Sequence, residues 1–162
     1  MPAVHLATTP PDGTSYPYRD CHHHPLPLRE VGPDQLLVAF LAAPPGWVDG
    51  LMRTRDRIVS RWGLKTAAPD QPRPPFRSGQ QLGVFRILAL EPGKVLLGED
   101  DRHLDFRLCL QAGAGELRVS TRVRPHNPAG WLYLALVLPF HQLISRVMVR
   151  RMARLLAAES AS

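Results

Sequence analysis

Cysteine is scarce in this chain. Its 162 residues hold two, Cys21 and Cys109, which excludes a disulfide framework and a paired thiolate metal motif. A reduced interior suits two isolated thiols, so the expected location is the cytoplasm. Lysine is nearly missing as well. Of 20 basic residues only Lys65 and Lys94 are lysines, and the formal net charge is +6. That charge would attract anionic partners. It is not gathered into an arm, however, and no zinc finger or aromatic-interleaved RNA motif accompanies it, so nucleic acid is not an expected partner. No glycine-rich phosphate loop and no dinucleotide fingerprint occurs. The start, MPAVHLATTPPDG, lacks a basic stretch followed by an apolar run, so it does not read as a secretory signal.

The length fits one domain with a substantial core. Residues 1–15 read as a disordered tail, with Pro2, Pro10, Pro11 and a turn at Asp12-Gly13, and residues 16–159 as a single domain. Tyr16–His24 is a weak edge strand. Its three histidines, His22 to His24, would point to alternate faces and cannot share one metal without distortion. Gly32-Pro33 closes a turn, and Asp34 opens a helix to Ala42 whose apolar content runs nearly all round. Pro44-Pro45 breaks it. WVDGLMRTRDRIVSRWG then reads as a second helix, with Trp47 and Trp62 as core anchors or pocket lining and Gly63 as its stop. Ala67–Gly79 is a proline-rich loop.

From there the period becomes that of strands: Gln80–Leu90, Lys94–Gly98, Arg102–Gln111, Glu116–Arg124 and Trp131–Leu138, joined by short turns including HNPAG at His126–Gly130. Joins this short favour antiparallel hairpins and leave no room for crossover helices. The last run is apolar on both faces, so a further segment or a second subunit is expected to cover it. As a strand it is too short to span a bilayer. Pro139 then starts a long C-terminal helix. Its apolar stripe is Phe140, Leu143, Ile144, Val147, Met148, Met152, Leu155 and Leu156, with Ser145, Arg146, Arg150 and Arg154 opposite. The expected architecture is α+β: a curved antiparallel sheet, a helix pair and a long closing helix. One helix cannot fill a strongly curved sheet, so an apolar cavity between sheet and helix is expected.

Several motifs together resemble one family. They are PPGWVDGLMRTRDRIVSRWGL (Pro44–Leu64), DDRHLDFRL (Asp100–Leu108), STRV (Ser120–Val123), the His126-Asn127 turn with Gly130 and Tyr133, and Pro139-Phe140-His141. The set is similar to the uncharacterised bacterial family known as domain of unknown function 2867. That resemblance implies the helix-grip superfamily, whose members resemble pollen allergens, polyketide cyclases and lipid-transfer domains. It implies a pocket for steroids, lipids or aromatic polyketides, and no particular reaction. The Pro- and His-rich first thirty residues depart from the family pattern.

The candidate ligand-binding residues are His103, Asp105, Tyr133, His141, Trp47 and Met148; no catalytic residue, cofactor or metal is assigned. His103, Asp105 and Arg107 share one strand face, about 6–7 Å apart. They read either as a cross-strand polar ladder on the outer face or as an oriented base at a ligand. His141, on a first helical turn, would be held neutral by the helix-end amides and would tie helix to sheet or bind a ligand. The leading expectation is a binder of a small hydrophobic ligand. The alternative is a cyclase-, dehydratase- or hydrolase-type enzyme acting on a hydrophobic substrate. A homodimer contact through Trp131–Leu138 is a third reading.

Overall fold

The computed structural model describes residues 15–28, 30–62 and 72–162, with Ile58, Val59 and Trp62 described through their backbone alone. The expected tail therefore lies almost wholly outside the described residues, as does the Gly63 helix stop.

β1 (Tyr18–Pro25) leads to α1 (Pro33–Ala42) and α2 (Gly46–Val59), which ends in a 3-10 turn at Ser60–Trp62. β2 (Gln81–Leu82), β3 (Phe85–Glu91), β4 (Lys94–Asp100), β5 (Leu104–Gly113) and β6 (Glu116–Pro125) follow, then α3 (Pro128–Ser160). The described strands form one antiparallel sheet in the order β1-β6-β5-β4-β3-β2. This is the expected α+β helix-grip architecture, with β1 at one edge. The first hairpin strand divides at Gly83, whose φ of +61° suits glycine and makes β2 and β3 separate strands.

Strand alternation sets the core. Leu108 and Leu110 of β5, Leu117 and Val119 of β6, and Val95 and Leu97 of β4 face inward. They meet Leu36, Leu37 and Phe40 of α1 and Met148, Val149, Met152, Ala153 and Leu156 of α3. The stripe of α3 is shifted from the one expected. Ser145 and Val149 are buried, while Phe140, Leu143 and Leu155 are exposed. Arg151 reaches the end of α1, where its Nε donates to the Ala43 carbonyl.

The main correction concerns Trp131–Leu138, which is helix and not strand. A run apolar on both sides carries no period that separates the two structures. Local chemistry decides for helix. Asn127 is the N-cap, its Oδ1 accepting from the Gly130 amide at 2.9 Å, and Pro128 takes the first helical position. The expected hairpin turn at His126–Gly130 is thus a helix start. Pro139 then falls inside the helix, where it removes the amide that would meet the Ala135 carbonyl. Both residues are exposed, so water can take that carbonyl. The argument that this segment is too short for a bilayer also lapses. By length and composition α3 is apolar enough to cross one, a test that core helices of soluble proteins also pass.

The start of α3 is pinned against the β4–β5 turn. A Cβ added at Gly130 would overlap the backbone oxygen of His103 and press on Pro125. Asn127→Ala should cost about 1 kcal/mol of stability through the lost cap. Gly130→Ala should cost more, about 1–3 kcal/mol, because a backbone atom must move. Urea unfolding of the two variants checks the ranking.

Candidate functional site

Two polar assemblies lie where α3 meets the rest of the chain. The first is a cleft between α2, the sheet and the first half of α3. Leu104 and Phe106 enter it because they occupy alternate inward positions of β5. Phe106 is fixed by edge-to-face packing on Phe85, centroids 5.4 Å apart, and Phe85 packs likewise on Phe40 at 5.6 Å. Tyr133 descends from α3, and Arg55 crosses from α2. The Arg55 Nε donates to the Tyr133 hydroxyl at 2.7 Å, and its guanidinium carbon stands 5.7 Å from the ring centroid. Asp56 pairs with the same guanidinium at 2.7 Å. Val84, Glu99 and Asp101 complete the lining of a space of about 60 Å³. Glu99 is 9% exposed and stands 3.9 Å from Arg86. The cleft therefore offers apolar walls, one guanidinium, one phenol and two carboxylates.

The second assembly joins β1 to α3. Tyr18, Asp20 and His22 alternate on the covered face of β1. The Tyr18 hydroxyl donates to Asp20 Oδ2 at 2.6 Å, and His141 Nε2 reaches the same oxygen at 3.1 Å. Ser145 Oγ lies 3.4 Å from His141 Nε2, and His22 Nε2 lies 3.9 Å from Asp20 Oδ2. Burial raises the Asp20 carboxyl pKa, but the hydrogen bonds from His141 and Tyr18 outweigh it and hold the carboxyl below its usual value. Burial, helped by the bond to Asp20, pushes the Tyr18 phenol up to about 12. Burial lowers the His22 pKa despite Asp20 nearby, with Arg146 and His141 adding to the effect. Asp20 Oδ1, His22 Nε2 and Thr121 Oγ1 have no hydrogen-bond partner among the described residues. Asp20 and Thr121 face each other across the β1–β6 pair. An open groove of about 200 Å³ runs beside His22, lined also by Cys21, His23, Arg146, Val149 and Arg150.

The six residues singled out from sequence are dispersed. Tyr133 lines the cleft. His141 belongs to the Asp20 assembly. Met148 is a core residue, and Trp47 is 48% exposed on α2. Asp105 lies on the outer sheet face, opposite to Leu104 and Phe106, bonded to Arg124 and His126 at 2.8 Å each. Burial raises its carboxyl pKa, but the His126 and Arg124 bonds win and lower it. Arg107 pairs with Asp100 at 2.7 Å, a neighbour on that ladder. His103 meets the Asn127 cap. Because Asn127 Oδ1 already takes the Gly130 amide, its Nδ2 donates to His103 Nδ1 at 3.1 Å. Among the described residues no group of three His, Cys, Asp or Glu side chains could hold a metal ion.

Sequence reading missed Arg55, Glu99 and Phe106 as cleft residues and the trio Tyr18, Asp20 and His22. The trio left no signal, because the residues between them are polar too and a strand polar on both sides does not mark which face is covered.

The chain belongs to the family described as protein of unknown function DUF2867, whose model matches residues 14–148. No curated protein matches it. Among solved structures it is similar to the crystal structure of protein NE0264 from Nitrosomonas europaea. The two share 15% identity over 89% of this chain and 97% of that one, with a TM-score of 0.38.

The pKa directions fix how stability depends on pH. His22 has a folded pKa below its ordinary 6.5. Its contribution is intact above that value and declines as the pH falls below it, because the unfolded chain binds the proton more readily. Asp20 and Asp105, also lowered, lose their contributions at more acid pH, as the pH falls below the ordinary 3.8. Thermal unfolding should therefore show a falling midpoint from pH 7 to 5. His22→Asn should flatten that part of the profile, and Asp20→Asn the part below pH 4.

Proposed function

We propose that the chain binds a small hydrophobic molecule carrying one polar or anionic group, in the cleft between the sheet, α2 and the first half of α3. The carrying observation is the clasp of Arg55 on Tyr133 over an apolar floor of Leu104 and Phe106. At about 60 Å³ the closed cleft is smaller than the roughly 300–1,000 Å³ of most ligand sites. Admission therefore requires α2 to swing outward. Its packing suits that motion, since Val48 is the one buried side chain among those described on α2. Arg55 would then exchange the Tyr133 hydroxyl for a ligand carboxylate or hydroxyl. The free thiols Cys21 and Cys109 fit a reducing, cytoplasmic setting for this role.

The enzyme reading draws on Asp20, His141 and Ser145. Asp20 and Ser145 both approach the Nε2 atom of His141. A base that activates a hydroxyl with one ring nitrogen needs its carboxylate on the other. This geometry favours a structural tie, so binding is the preferred reading.

Native mass spectrometry of the purified protein and titration with a panel of apolar dyes and fatty acids test the proposal. Phe106→Trp should fill the cleft and abolish binding. Arg55→Ala should weaken fatty acids by about tenfold relative to neutral analogues, the loss expected for a charged hydrogen bond. Failure to bind any probe, or binding that Phe106→Trp leaves intact, would overturn it.

A further inference from the structure

The outer face of α3 is apolar in its first half and basic in its second. Leu132, Leu136, Phe140 and Leu143 recur at intervals of three and four and are 51–56% exposed, with Trp131 beside them at 51%. Only 17% of the most apolar 18-residue window of this helix is buried inside the chain. Continuing along the same line come Arg146, Arg150 and Arg154, all exposed. Tyr133 at the edge of this face already has a partner in Arg55, and the opposite side has partners in His141–Asp20 and in Met152 with the core.

We propose that this face pairs with the same face of a second copy, the two α3 helices antiparallel and crossing near Leu136–Phe140. Area supports a second copy as the occupant. At about half exposure, five large side chains present on the order of 500 Å² of apolar surface per copy. That is most of the roughly 800 Å² per partner of a standard interface, before any flanking contact. Charge fixes the direction. Parallel helices would set Arg146, Arg150 and Arg154 beside the same three arginines of the second copy. Antiparallel helices lay apolar half on apolar half and carry each arginine row past the end of the overlap. A membrane surface fits less well. An interfacial helix keeps its charges on the face opposite the apolar one, whereas here both lie in series on one face.

The full chain should sediment as a dimer at micromolar concentration, and its thermal midpoint should rise with protein concentration. Leu136→Glu should weaken association at least tenfold while helix content by circular dichroism stays unchanged. Orientation is read by cross-linking in a background with Cys21→Ser and Cys109→Ser. Leu132→Cys and Leu143→Cys chains should cross-link when mixed, and Leu132→Cys alone should not. A monomer at all concentrations overturns the proposal. So does self-cross-linking of Leu132→Cys, which marks a parallel pair. A monomer whose binding to phosphatidylserine–phosphatidylcholine vesicles is lost in Leu136→Glu would assign the face to a membrane instead.

Discussion

A 33-residue helix is held to this chain at two places, its beginning and its second half. The second half is anchored by apolar packing, through Met148, Val149, Met152, Ala153 and Leu156. The beginning is anchored by close backbone approach, with Gly130 against the His103 carbonyl and Asn127 capping the amides above it. Neither anchor reaches the stretch between them. That bridge has room beneath it for Arg55, Glu99 and Phe106 to line a cleft, and an apolar surface above it with no partner in the described chain. Both features follow from the helix outrunning the core that holds it.

Charge, rather than apolar area, joins the bridge to its surroundings. Asp20 reaches up from β1 to His141, and Arg55 reaches across from α2 to Tyr133. Asp105 does related work on the outer sheet face, binding His126 just before the cap. A carboxylate out of water is costly unless paired, and each of the two aspartates has two hydrogen-bonding partners. The lowered pKa values of Asp20 and Asp105 express that pairing. The consequence is directional: the two aspartate joints hold at neutral pH and loosen in acid.

The sheet was legible in the sequence because its strands alternate and most of its turns contain glycine or proline, the Asp101–His103 turn between β4 and β5 being the exception. β3 to β6 fall close to the expected boundaries, as does α1. The first half of α3 was not legible, for two physical reasons. Leucine, alanine and valine on all sides give no period, and a proline in the middle reads as a start when its carbonyl partner faces water. The helix signal was Asn127-Pro128, a cap followed by a first-position proline, which equally describes a turn. Much of the site was lost with the helix. Reading Trp131–Leu138 as strand hid the approach of Tyr133 to Arg55. The polar run of β1 hid the partner of His141, although a tie between helix and sheet was one expected role for that histidine.

The two faces of the bridge are mechanically connected. Tyr133 is one residue from Leu132, so any shift of the first half of α3 alters the clasp on Arg55 and the outer apolar face together. Pro139 sits between them and the core-packed half, and a missing helical hydrogen bond is where such a helix bends most readily. In the proposed dimer the second copy would hold the first half of α3 still. The yielding element in ligand entry would then be α2, which among its described side chains buries Val48 alone. In an isolated chain α2 and the first half of α3 could both give way. Association would thus trade adaptability of the cleft for definition, and ligands of one shape should gain over a mixed set when the copies are paired.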